Sequence, residues 1–326
     1  MLAIDQYMKM SAEAVDAVCP RNQTPAGLYA PITYGLSVGG KRLRPTLVLA
    51  ACDAVGGNSA DALSQAAAIE MFHNFTLLHD DVMDNADVRR GKPSVRCKWN
   101  DNTAILSGDA MLTLATQLIV KDLNPEKAVA ILSVFNEMAM GVYEGQQYDV
   151  DFEDRDDVHV DEYIEMIRLK TSVLLGGACQ IGAIIGNASI ERQKALYDFA
   201  MNLGIAFQLQ DDWLDVYGDP KIFGKSIGGD IINNKKTFLL ISAMKNANPE
   251  DRKELQYWLN SKDPLPGEKI VGVTAIYNRL KVDEICKSTI SHYNNKALEA
   301  LRIGNFSQDA INFFIAFNEM VMQRNK

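Results

Sequence analysis

The chain has 326 residues, 47% of them hydrophobic and 23% charged, with a formal net charge of −9. That is apolar material for one large core or two ordinary ones, with the charge content of a globular protein. An acidic chain without a basic block is a poor partner for nucleic acid or an anionic membrane surface. The five cysteines, Cys19, Cys52, Cys97, Cys179 and Cys286, are scattered and never in CxxC spacing, which points to a reducing cytoplasm. The first residues, MLAIDQYMKMSAEAVD, lack the basic start and apolar stretch of a secretory signal.

In chain order, the first notable segment is GGKRLRP (39–45), which sets Lys41, Arg42 and Arg44 beside two glycines just before a predicted helix over 45–55. Glycines let backbone N–H groups approach an anion, and a helix N-terminus favours one. The helical run 61–79 leads into DDVMD, Asp80 to Asp84, and VRRGKP follows with Arg89 and Arg90. RCKWNDN (96–102) is unusually polar for the loop after that segment, and no role is read for it. Helices are predicted over 103–120 and 128–145, then a solvated loop and helix start over 149–163. Residues 171–190, TSVLLGGACQIGAIIGNASI, carry no charge and would be long enough for a bilayer. Gln180, Asn187, three hydroxyl side chains and four glycines argue instead for a buried helix of a soluble protein, packed closely at Gly182 and Gly186. The apolar run 199–210 leads into DDWLD, Asp211 to Asp215, and Lys225, Lys235 and Lys236 follow. Beyond about residue 245 the chain is more charged and less informative.

Ala, Leu, Met, Glu and Gln dominate the periodic stretches, and no region alternates with period two. The ten prolines sit mostly at predicted boundaries, such as Pro45, Pro93 and Pro125. No repeat or low-complexity linker divides the chain, so the expectation is one all-α domain over 1–326, with no integral membrane segment.

The two aspartate motifs carry the chemistry. Each has carboxylates at i, i+1 and i+4, and i and i+4 share a helix face. Each is expected near a helix C-terminus, where the macrodipole is already negative. Hard divalent cations would neutralise such a patch, and magnesium takes carboxylate, water and phosphate oxygens. The basic clusters near both motifs then describe a pocket for two polyanions. A nearly charge-free run leading to each motif supplies apolar walls, so the expected ligand has a diphosphate head and a hydrocarbon tail. Metal would turn the diphosphate into a leaving group, and the walls would keep water from an allylic cation. No GxxxxGK[ST] loop is present to suggest nucleotide chemistry.

The ordered set GGKRLRP, HNFTLLHDDVMDNADVRRG (73–91), GQQYD (145–149), LKT (169–171), FQLQDDWLD (207–215) and GKSIGGD (224–230) resembles the trans-type isoprenyl diphosphate synthases of the short-chain farnesyl and geranylgeranyl type. The likeness covers roughly residues 25 to 300. It implies the type I isoprenoid synthase fold, a helical bundle around a deep central cavity, usually a homodimer. It implies that Asp80, Asp84 and Asp211 hold three Mg2+ ions on the allylic diphosphate, supported by Asp81, Asp212 and Asp215, while Arg89 and Lys225 touch that diphosphate. Lys41, Arg44, His73 and Arg90 would hold isopentenyl diphosphate. Lys170, Thr171 and Gln208 would stabilise the developing cation and orient the substrates, and Lys235 would add a diphosphate contact. The reaction implied is ionisation, condensation and proton loss, with released diphosphate as base.

His73 lies seven residues before Asp80 and Gln208 three before Asp211, each on the same helix face as its aspartate. In the family, the positions of Phe75 and Thr76 form a floor that stops chain growth. One aromatic there most resembles twenty-carbon producers, whereas Phe72 a turn further down could favour fifteen. Phe75 falls about 140° from Asp80 on an ideal wheel, so a straight helix would point it aside. Two rival readings stay open: a class I terpene cyclase, and a non-catalytic regulatory subunit of a heteromeric synthase. The second motif, DDWLDVYGD, lacks the cyclase pattern of Asn or Asp, Ser or Thr, then Glu, and both aspartate motifs are whole.

Overall fold

A computed structural model describes residues 1–219, 227–261 and 265–323. The helices are α1 Ile4–Ala17, α2 Ala26–Ser37, α3 Leu43–Ala54, α4 Leu63–Met83, α5 Val95–Lys98, α6 Asp101–Ile119, α7 Pro125–Glu153, α8 Val160–Ile167, α9 Val173–Ile185 and α10 Ile190–Tyr217. After these come α11 Gly229–Ile232, α12 Phe238–Asn246, α13 Pro249–Asn260, α14 Pro266–Arg279, α15 Val282–Ile303 and α16 Gln308–Met322. Among the described residues the strands are β1 Val88–Arg89 and β2 Lys92–Pro93, an antiparallel pair within the VRRGKP segment. The all-α expectation is met. The predicted loop over 149–163 is shorter than the sequence suggests, because α7 continues through Glu153.

Two compact units divide the chain. The first comprises Met1–Met138, Leu174–Tyr197 and Gly304–Phe313. Its central helix is α4, which packs on α1, α3 and α6. An unbroken run of α4 from Gln65 to Phe72 is buried, with Asn74, Phe75, Leu78 and Asp81 beyond it. Such a helix is enclosed on nearly all sides, which explains why it carries so little charge. The Gly182–Gly186 pair of the charge-free segment lies in this unit against α3: a side chain at Gly182 would collide with the backbone of Val48. This is close packing between helices of a globular unit, and among the described residues no helix is long and apolar enough to cross a membrane.

The second unit comprises Ala139–Val173, Asp198–Ile303 and Phe314–Lys326. Its core gathers Phe152, Tyr163 and Ile167 with Leu209, Phe238, Leu239, Leu255, Ile276, Tyr277 and Val282. Between α8 and α9 the backbone widens into a π-helical turn over Arg168–Ser172, the segment that carries LKT. Such turns are rare overall and frequent at functional sites. Gly145 of GQQYD makes room for it, since a Cβ there would run into the backbone of Leu169 and Lys170.

Candidate active site

In the first unit, α4 ends on the DDVMD motif, as expected. Asp84 is the C-cap, and Asn85 follows in the left-handed conformation at φ 51°. The amide of Ala86 donates to the Asp81 carbonyl at 2.9 Å and that of Asn85 to the Val82 carbonyl at 3.3 Å, the two bonds of a Schellman cap. Asp80 is half-buried, Asp84 exposed and Asp81 buried. The inward carboxylate of Asp81 accepts from Arg89 Nε at 2.9 Å and Nη2 at 2.5 Å. Burial raises the Asp81 pKa above the ordinary carboxylate range, and the Arg89 guanidinium opposes that shift.

Arg44, at the start of α3, donates from Nη1 to His73 Nε2 at 3.1 Å. Arg90 donates to the carbonyl of Gly39, so the VRRGKP segment closes on the GGKRLRP loop. Arg44, His73 and Arg90 are thereby gathered, as expected, with Lys41 exposed on the same loop. Arg42 turns elsewhere. It pairs with buried Glu70, whose carboxylate also accepts from Asn74 at 3.1 Å, and it donates to the Leu36 carbonyl at 2.6 Å. Arg42 and Arg90 both sit in the left-handed region, at φ 50° and 54°, each costing about 1–2 kcal/mol.

The field in this cluster is strongly positive. Burial, then the charges of Arg44, Arg90, Arg89 and Arg42, hold the His73 imidazole well below its usual pKa, so it is neutral at pH 7. Accepting from Arg44 at Nε2, it carries its proton on Nδ1. The Arg44 guanidinium is itself pushed down to about 10, by burial foremost and also by Arg90. A multivalent anion would relieve this mutual repulsion and supply acceptors to several donors at once.

Around Phe75 the same unit is densely aromatic. Its ring lies 5.5 Å from Phe72 and 4.8 Å from His79, and Phe72 stands edge-on to Phe135 at 5.4 Å. Helix α4 is continuous through these residues, and Phe75 is buried. Thr76, half-buried, donates to the His73 carbonyl at 2.8 Å. The polar segment RCKWNDN acquires a structural reading: Arg96 reaches Asp101 at 2.8 Å and Asp87 at 3.3 Å, Trp99 packs edge-on to Tyr34, and Asn100 caps α6 through the Thr103 amide.

In the second unit, the DDWLD motif occupies the last turns of α10. Asp211 and Asp215 are half-buried and line a cavity of about 210 Å³ together with Lys170, Thr171, Gln208, Asp149, Asp230, Lys235 and Lys236. Lys170 Nζ donates to Asp149 at 2.6 Å, and Lys236 to Asp156 at 3.0 Å. Asp215 accepts from the Asp230 amide at 3.0 Å, which ties α11 to the motif. Asp212 turns inward and is buried. It accepts from the Tyr163 hydroxyl and from Gln208 Nε2 at 3.2 Å, while Thr171 Oγ1 donates to Gln208 Oε1 at 3.2 Å. Burial pushes the Asp212 carboxyl up to about 8, with Asp230 and Asp211 adding repulsion and the two donors opposing it. Lys225 lies outside the described residues.

Among the described residues, no three His, Cys, Asp or Glu side chains are gathered as a metal site by themselves. The donor set nevertheless fits magnesium, which is commonly held by one or two carboxylates and completed by water and substrate phosphate. Asp211 and Asp215 offer such oxygens on the cavity wall, and Asp80 and Asp84 offer them at the end of α4. Three contributors were not identified from sequence: Glu70, which anchors Arg42; Asp149, which meets Lys170; and Tyr163, which meets Asp212. Asp149 sits inside a motif already noted, but Tyr163 lies eight residues before Thr171 across a π turn, where no regular spacing marks it.

Residues 25–276 match the family described as Polyprenyl synthetase. The chain is 37% identical over 281 residues to a short chain isoprenyl diphosphate synthase of Methanothermobacter thermautotrophicus, covering 86% of this chain and 85% of that one. It is 41% identical over 230 residues to a geranylfarnesyl diphosphate synthase of Aeropyrum pernix, covering 69% and 72%. A crystal structure of a geranylgeranyl pyrophosphate synthase superposes with a TM-score of 0.94 over 100% of both chains, at 42% identity.

Proposed function

From the premise that this chain belongs to the polyprenyl synthetase family of trans-isoprenyl diphosphate synthases, and is a short-chain prenyltransferase, we propose the reaction and residue roles that follow. The enzyme condenses isopentenyl diphosphate with dimethylallyl, geranyl or farnesyl diphosphate, using Mg2+, as one synthase domain over 1–326. The single observation that carries the assignment of sites is the contrast in charge between the two half-sites. Arg44 and Arg90 converge around a neutral His73 in the first unit, whereas Asp211 and Asp215 line a polar cavity in the second.

Lys41, Arg44, His73 and Arg90 bind isopentenyl diphosphate, which enters the reaction without ionising and therefore needs cationic donors rather than metal. Asp80, Asp84 and Asp211 hold the magnesium, whose bound form neutralises the diphosphate that leaves the allylic substrate. Asp215 supports that set and Lys225 and Lys235 add cationic contacts to the same diphosphate. Arg89 contributes from its pairing with Asp81. Thr171 and Gln208 orient the hydrocarbon end nearest the diphosphate, and the Lys170–Asp149 pair holds the π turn beside them. Incubating the purified chain with isopentenyl diphosphate, each allylic diphosphate and Mg2+ should yield prenyl diphosphates, and EDTA should abolish them. Consumption of the allylic substrate alone, with release of a hydrocarbon, would identify a cyclase. No turnover without a second subunit would identify a regulatory chain.

A twenty-carbon product is favoured over fifteen. The support is Phe75 as the one aromatic of the Phe75–Thr76 pair before the first motif, buried beside Phe72. Phe75→Ala should lengthen the products by at least one five-carbon unit, read by chromatography of the dephosphorylated alcohols; an unchanged distribution would leave Phe75 as packing. A cytoplasmic homodimer completes the reading. Exposed Ile105 and Leu106 on α6 support it, and sedimentation of the purified protein checks it.

A further inference from the structure

We propose that Tyr163 is a positioning residue of the prenyl transfer site, its hydroxyl locking Asp212 so that Asp212 in turn fixes the amide of Gln208 and the hydroxyl of Thr171. The inference rests on the functional reading above and deepens it.

The side chains form one chain of hydrogen bonds with a defined direction. Tyr163 can only donate to a carboxylate, and it donates to Asp212 Oδ2. The other oxygen, Oδ1, accepts from Gln208 Nε2 at 3.2 Å. That bond settles which way the Gln208 amide faces, leaving Oε1 to accept from Thr171 Oγ1 at 3.2 Å. An amide on its own would flip at little cost, exchanging a donor for an acceptor at the cavity wall. Here the flip would bring the Gln208 oxygen against an Asp212 oxygen, whereas the Thr171 hydroxyl could turn to accept from the NH2 group, so Asp212 sets the orientation.

Asp212 can hold this orientation only if it is itself held, and Tyr163 does that from the core side. Tyr163 is 3% exposed and Asp212 4%, so little water competes for either group although both border the cavity. The ring belongs to the apolar cluster with Met166, Ile167 and Leu209, which leaves it little freedom to follow a displaced carboxylate. Tyr163, on α8, and Asp212, on α10, therefore pin two elements together, and α8 runs on into the π turn that carries Lys170 and Thr171. Asp212 borders the same cavity as Asp211 and Asp215 but is buried where they are half-buried, and it serves the site by orientation.

The test is a double-mutant cycle with Tyr163→Phe, Gln208→Ala and the pair, assayed at saturating Mg2+ with melting temperatures recorded for each. Tyr163→Phe keeps the ring and removes the hydroxyl. It should lower kcat about tenfold, the worth of one hydrogen bond to a carboxylate, with KM for isopentenyl diphosphate within about twofold. In the Gln208→Ala background the same substitution should cost less than about twofold, because the group it positions is gone. Equal costs in both backgrounds would overturn the proposal, as would an unchanged kcat in Tyr163→Phe. If Tyr163→Phe does not fold, Asp212→Asn replaces it in the cycle and must show the same non-additivity with Gln208→Ala. An unmodified chain that forms no prenyl product would instead sink the functional reading, and the inference with it.

Discussion

The two aspartate motifs, DDVMD and DDWLD, have the same spacing of carboxylates and the same place at the end of a helix, yet the two units treat them differently. At about 100° per residue, carboxylates at i and i+4 stay on one face while the one at i+1 swings away. Asp81 and Asp212 are accordingly the buried members of the two motifs, and Asp80 and Asp211 the half-buried ones. The first unit answers its inward carboxylate with a cation, Arg89. The second answers with two neutral donors, Tyr163 and Gln208, and its neighbours Asp230 and Asp211 repel further charge. The cluster in the first unit is thus rich in guanidinium groups and that in the second in carboxylates, around one repeated pattern.

The largest expected effect treats the motifs as equals. Asp80→Ala and Asp211→Ala should each lower kcat about a thousandfold, since metal neutralisation of a leaving diphosphate is worth several kcal/mol. Circular dichroism should show both variants folded, because neither side chain belongs to the apolar core. Near-normal turnover in either would end the symmetry between motifs.

Substrate binding should separate the two half-sites. Lys41→Ala, Arg44→Ala and Arg90→Ala should raise KM for isopentenyl diphosphate roughly tenfold to a hundredfold, from lost charge-assisted hydrogen bonds. Lys225→Ala should act mainly on the allylic substrate. Steady-state kinetics with each substrate varied in turn would reveal the split, and equal weakening of both by all four variants would refute it.

The inward carboxylates should differ in stability. Asp81→Asn leaves the Arg89 guanidinium without its counter-charge and should cost about 1–3 kcal/mol in urea unfolding. Asp212→Asn leaves no cation without its counter-charge, since its partners Tyr163 and Gln208 are neutral, so its cost should stay below about 1 kcal/mol, one neutral hydrogen bond. Equal losses would mean that the environments of the two motifs are alike after all.

The smallest effect concerns His73. The fold disfavours its charged form, so unfolding below about pH 6.5 takes up a proton. Its contribution to stability is complete above that pH and declines as the pH falls toward the depressed folded value. In His73→Gln the melting temperature should therefore fall less steeply between pH 6.5 and 5 than in the unmodified chain. Parallel profiles would mean that the guanidinium cluster does not hold the ring neutral.

Much of this molecule was readable before folding was considered. Apolar residues at helical spacing named the all-α class, and the run before each aspartate motif marked a helix whose last turns carry the carboxylates. Asn85 and Asn187, both in the left-handed conformation just past a helix end, follow from ordinary capping preferences. His73 and Asp80 both lie in α4, where a seven-residue step is about two turns. What one sequence could not specify is which partner comes from a distant part of the chain. Nothing in DDVMD and DDWLD says that one buried carboxylate meets Arg89 and the other Tyr163, or that Arg42 serves Glu70 while Arg44, two residues on, faces His73. Local periodicity determines which way a side chain points. Only the packing of helix against helix decides what it meets there, and with it whether a carboxylate remains charged.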